Sequence, residues 1–205
     1  MLPYRWIVAT VAGCAVAGAI GHFPGSFPIG SGTQSEFSTS AGAFGLIMGT
    51  ILALPLGLMQ WLVVRRFPGV GARWIPATAL GVGLMHALGD GFPAPSSAGI
   101  AGAAEGWVVV GTIGGLAIGT LQALAARGRL LAWTWIVTSA VAWPAGIAAG
   151  LWLADRIGLM TQSGPGAWAQ QHLLVGAIAG LVVGVLTGAL LPRRRPFGPL
   201  GAAAY

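Results

Sequence analysis

Long apolar stretches, separated by short polar or Gly-, Pro- and Ser-rich connections, set the pattern of this chain. Six such stretches run at about 6–21, 41–64, 74–89, 106–126, 130–154 and 172–191. Each approaches the roughly 20 residues that a helix needs to cross a bilayer. No strand is credible between them, and the connections leave no length for a soluble domain. The pattern predicts an all-α polytopic membrane protein, with residues 1–205 forming a single integral membrane domain of six transmembrane helices.

Composition agrees with that pattern: 56% of residues are hydrophobic, 7% are charged and 35 are glycine, which an ordinary soluble domain does not tolerate. The formal charge of +6 is a topology signal rather than a nucleic-acid footprint. There is no Lys, and the arginines are Arg5, Arg65, Arg66, Arg73, Arg127, Arg129, Arg156 and Arg193 to Arg195. All but Arg156 fall before the first segment, after the sixth, or in alternate connections. Glu36, Asp90, Glu105 and Asp155 fall toward the opposite side. Counted by basic residues, this places both termini in the cytoplasm of a bacterial inner membrane, with anionic lipids as partners of the Arg-rich face. Phosphate-binding loops need a strand before their glycines, so neither nucleotide nor nucleic-acid binding is expected.

The chain repeats itself. "GTILALPLGLMQWLVVRR" (49–66) and "GTIGGLAIGTLQALAARG" (111–128) align without a gap, matching Gly49 to Gly111, Gly57 to Gly119, Gln60 to Gln122 and Arg65 to Arg127. "GAIAGLVVGVLTGALLPR" (176–193) fits the same frame through Gly176, Gly184 and Thr187. The other three segments open on "WIVATV" (6–11), "WIPATA" (74–79) and "WIVTSA" (135–140). A helical hairpin repeated three times accounts for both series, giving a pseudo-threefold arrangement about the membrane normal. The first segment then packs near the sixth and closes a ring.

The unit formed by Gly57, Gln60, Trp61, Leu62, Val63, Arg65, Arg66, Trp74 and Ile75 resembles GxxQWLVxRR...WI units in a group of uncharacterised multi-pass bacterial membrane proteins. The resemblance implies a class of protein and no activity.

Glycine costs about 1 kcal/mol relative to alanine in a water-exposed helix, yet it recurs every fourth residue here. Gly49 and Gly57 lie in the second segment, Gly111, Gly115 and Gly119 in the fourth, and Gly176, Gly180 and Gly184 in the sixth. In lipid, small residues at this spacing let helix backbones approach. These rows predict that the second, fourth and sixth segments lie inside, facing one another or the crossing outer helices, with no wide pore. Gln60, Gln122 and Thr187 form one polar layer, either as interhelical hydrogen bonds or as a solute constriction. Pro55 and Pro144 are expected to kink their helices. Trp6, Trp61, Trp74, Trp133 and Trp135 read as an aromatic belt on one face, Trp107, Trp152 and Trp168 on the other.

Candidate chemistry is confined to the outer face. His22, His86 and His172 fall there, with Asp90 four residues after His86, a loose set that could bind a transition metal. No tight metal or hydrolase motif supports it. The single cysteine, Cys14, excludes an internal disulfide; it follows a basic and apolar start as in lipoprotein signals, but the apolar run continues past it, so an uncleaved first helix is expected. No cofactor is required. Scarcity of charge within the apolar segments points away from an ion-coupled transporter. The expected function is a non-enzymatic scaffold or accessory subunit working with other membrane subunits. The alternatives are a small transporter or channel for a neutral or weakly polar solute and, third, an outer-face metal-binding protein.

Overall fold

A computed structural model of the chain describes residues 2–21, 39–67, 70–91, 99–126, 132–161 and 165–191. They form α1 (Leu2–Gly21), α2 (Thr39–Leu52), α3 (Leu54–Val64), α4 (Trp74–Gly91), α5 (Gly99–Ala125), α6 (Ala132–Arg156) and α7 (Pro165–Gly188), with a short 3₁₀ turn at Leu159–Thr161. There is no strand among the described residues. Four helices carry stretches long and apolar enough to cross a membrane, and a fifth does if α2 and α3 are counted as one bent span; α4 contributes a shorter apolar stretch, Trp74–Gly89.

The bend between α2 and α3 has a local cause. Pro55 is in the first turn of α3; it carries no amide proton, and its ring collides with the carbonyl four residues earlier. The helix therefore stops at Leu52 and restarts at Leu54, turned by 41°. Pro144 lies inside α6 without interrupting it, so only one of the two kink-forming prolines breaks its helix.

The outward faces are apolar. Ile47, Ile51, Leu54, Leu58 and Leu62 form an exposed stripe along α2 and α3, as do Val109, Ile113, Leu116 and Leu124 along α5. Spacings of three and four residues put each set on one side of its helix. Contiguous apolar surface of this kind suits lipid rather than water.

Neighbours in the bundle follow chain order: α1 packs on α3, α2 and α3 on α4, α4 on α5, α5 on α6, α6 on α7, and α7 back on α1. With α2 and α3 taken together, six units close into a ring. The contact of α1 with α7 is among the most extensive in the molecule, in keeping with a first segment that packs near the last.

The expected inner trio of even-numbered segments is not what forms. Among the described residues, no two of α3, α5 and α7 pack backbone to backbone; their glycines face the adjacent helices of the ring, the second of the two expected arrangements. A Cβ at Gly49 would stand 2.8 Å from His86 and one at Gly57 2.7 Å from the Ile75 carbonyl, both on α4. On α5, Gly111 abuts Pro144 at 3.0 Å, Gly115 the Ser139 carbonyl, and Gly119 Ile136 at 2.9 Å, all on α6. On α7, Gly176 abuts the Cys14 carbonyl, Gly180 that of Thr10 at 2.8 Å, and Gly184 Ile7 at 3.0 Å, all on α1. Each row lets its helix approach the backbone of the next, so the rows leave the centre of the ring to other side chains.

Candidate functional site

Two different interiors fill the ring, one at each end. At the end where α1, α4 and α6 begin, Trp6, Trp74 and Trp135 meet. Their ring centroids are 6.1, 5.8 and 5.9 Å apart, and the planes cross at 64° to 76°, the edge-to-face geometry that aromatic quadrupoles favour. Belt anchors would be exposed to the interface, but these three are 1%, 0% and 1% exposed. They are a buried plug, and the belt assignment fails for them because each indole N–H finds a protein acceptor inside. Trp133 and Trp152, 76% and 60% exposed, are placed as interfacial residues would be; the side chains of Trp107 and Trp168 lie outside those described.

The acceptors come from the polar layer. Trp74 Nε1 donates to Gln60 Oε1 at 3.4 Å, Trp135 Nε1 to Gln122 Oε1 at 3.0 Å, and Trp6 Nε1 to Thr187 Oγ1 at 2.9 Å. Each glutamine also reaches the preceding helix of the Trp series: Gln60 Nε2 donates to Thr10 Oγ1 at 3.3 Å and Gln122 Nε2 to Thr78 Oγ1 at 2.8 Å. Gln122 Nε2 further donates to Gln60 Oε1 at 3.1 Å. The shorter Thr187 donates instead to its own helix, at the Val183 carbonyl, 2.6 Å. Both amides are thus engaged by protein groups. Arg73 braces the same end, its Nε donating to the Ala125 carbonyl at 2.8 Å, which satisfies an acceptor at the C-terminal end of α5.

The other half of the ring encloses a partly open cavity of about 170 Å³. Cys14, Leu56, Val82 and Trp143 line it alongside Gly49, Ala53 and Ala179, and its lining includes Ala17, Met85, His86, Leu151 and His172. Leu52 and Ala53, at the break between α2 and α3, are in its wall; a discontinuous helix in a membrane is tolerated where it borders protein or a cavity. Gln60, Gln122 and Thr187 are not among its lining residues, so the polar layer and the cavity are separate features. The glycine rows argue against a wide pore, not against a cavity of this size; space remains here because the glycines are spent on contacts around the ring.

His86 and His172, far apart in sequence, line the same cavity, and each also has a partner within the protein. His22 lies outside the described residues, as does the side chain of Asp90. Among the described residues no three His, Cys, Asp or Glu side chains gather as metal ligands would. Cys14 is a free, buried thiol in the cavity wall. The convergence of Trp6, Trp74 and Trp135 went unread in the sequence, although their shared place in "WI" openings was its signal.

No family model matches the chain, and no match is found among curated proteins or solved structures.

Proposed function

We propose that this is a non-enzymatic, six-span bacterial inner-membrane protein that admits a small neutral solute to a central chamber. One observation carries the proposal: the ring is hollow at one end, with an apolar cavity lined from α1, α2, α3, α4, α6 and α7, and plugged at the other by buried indoles. A scaffold or accessory subunit would need only an outer surface; a shared cavity assembled from most of the ring is what a solute-handling protein requires. Among the described residues no Arg, Lys, Asp or Glu lines it, and burying an ion without a partner is costly, which favours an uncharged solute.

Three hairpin repeats support the same arrangement. Trp6, Trp74 and Trp135 occupy equivalent positions in the repeat frame, as do Gln60, Gln122 and Thr187, and their hydrogen bonds follow one scheme. Arg65, Arg66 and Arg73, in the connection between α3 and α4, lie at the plugged end, so the positive-inside rule turns the plug toward the cytoplasm, with its anionic lipids, and the chamber outward. Reporter fusions at Arg66, Pro95 and Arg129 should read in, out and in.

The chamber is tested through Cys14, the only cysteine in the chain. A small neutral thiol reagent should modify the full-length protein in nanodiscs, and Ala17→Phe, which sends a ring into the cavity, should slow modification about tenfold. Equal rates in the two proteins would overturn the chamber as a solute-accessible space.

A further inference from the structure

We infer that the chamber takes a monocyclic aromatic molecule bearing one hydrogen-bonding group, with its ring in the apolar inner part and its polar group at His86 and His172. This rests on the solute chamber proposed above and narrows it to a ligand class.

Size is the first constraint. The cavity measures about 170 Å³, close to the roughly 150 Å³ of apolar cavities that take up benzene. A phenol-sized molecule fills such a space, whereas an acyl chain would have to leave most of its length outside. Polarity is the second. Water needs two to four polar partners to stay in a buried site, and Ala17, Leu56, Val82 and Ala179 supply none from their side chains. An apolar body in that inner part therefore displaces only poorly held water.

Shape and chemistry give the third. Trp143 and Met85 both border the cavity; an indole offers edge or face contacts to another ring, and a thioether packs favourably on aromatic edges. Among the described lining side chains the two imidazoles are the ones that both donate and accept strong hydrogen bonds, the Trp143 N–H only donating. Each residue also makes another contact within the protein. A hydroxyl suits either imidazole tautomer, since it donates and accepts.

The test uses the full-length protein in nanodiscs, with Cys14 modification read by intact mass and three probes added singly: p-cresol, toluene and hexadecanol. A saturating concentration of p-cresol should slow modification about tenfold. Toluene, which has the ring without the hydroxyl, should protect about fivefold less well at equal concentration, the worth of one hydrogen bond. In His86→Leu or His172→Leu, p-cresol should fall to the level of toluene while toluene itself still protects, which shows that the chamber survives the substitution. Full protection by p-cresol in both variants would overturn the polar contact. Stronger protection by hexadecanol would replace the aromatic class with a lipid chain and leave the chamber standing. If no probe protects and Ala17→Phe reacts like the unaltered chain, the chamber itself fails.

Discussion

The two ends of the ring are built from the same helices and yet are filled in opposite ways. At the Trp end, three indoles and two glutamines saturate one another, and the middle of the bundle is solid. At the His end, Cys14, Val82, Ala17 and Met85 line the interior, and a cavity remains between them. Side-chain size at the axis decides the difference, since the glycine contacts between neighbouring helices continue along both ends. A closed layer next to a partly open chamber is the contrast on which the proposed solute-receiving role rests.

The largest effect should come from a change that breaks both ends at once. Gly115→Leu drives a side chain into the Ser139 carbonyl on α6 and should destabilise the bundle by about 3 kcal/mol or more. Gly106→Leu on the same helix meets nothing within 4 Å and should stay within about 0.5 kcal/mol. Thermal melting in detergent distinguishes them, and an unchanged profile for Gly115→Leu would remove close helix approach as the basis of the ring.

A change confined to the closed end comes next. Gln122→Leu removes donations to Gln60 and Thr78 and strands the Trp135 N–H. Three intramembrane hydrogen bonds at roughly 0.6 kcal/mol each give a loss of about 2 kcal/mol. The chamber end should be more tolerant: Ala17→Phe enters existing space and should shift stability by about 1 kcal/mol or less, while still blocking Cys14. Equal damage from Gln122→Leu and Ala17→Phe would erase the contrast between the ends.

The smallest effect sharpens the repeat itself. Thr187→Gln would install the third amide of the scheme, accepting from Trp6 as Gln60 does from Trp74 and donating toward Ser139 as Gln122 does to Thr78. A gain of about 0.6 kcal/mol in stability on melting is expected; a clear loss would count against the proposed threefold repeat.

Much of this was legible in the chain. Run length and Arg placement located the helices to within a few residues, with α5 and α7 as the exceptions: both begin about seven residues earlier, at Gly99 and Pro165, because small and polar residues extend a helix past its apolar run. The four-residue glycine spacing pointed to close backbone contacts, and Pro55 to the break. Their partners were not legible. Periodicity tells which side of a helix is small; it cannot say whether that side faces the axis or a neighbour, and here it faces a neighbour.

Local sequence also carried the ingredients of the plug, as three "WI" openings and the Gln60, Gln122 and Thr187 series, but tryptophan near a helix start in an apolar chain reads equally well as a lipid anchor. Only closure of the ring brought the indoles within contact of one another and of the amides. The sequence by itself determined that helices form, that they suit a bilayer and that neighbours can approach closely, since these follow from hydropathy, residue size and local backbone chemistry. The tertiary structure alone decided that one end is sealed and the other hollow, because axial space depends on which side chains from distant segments meet.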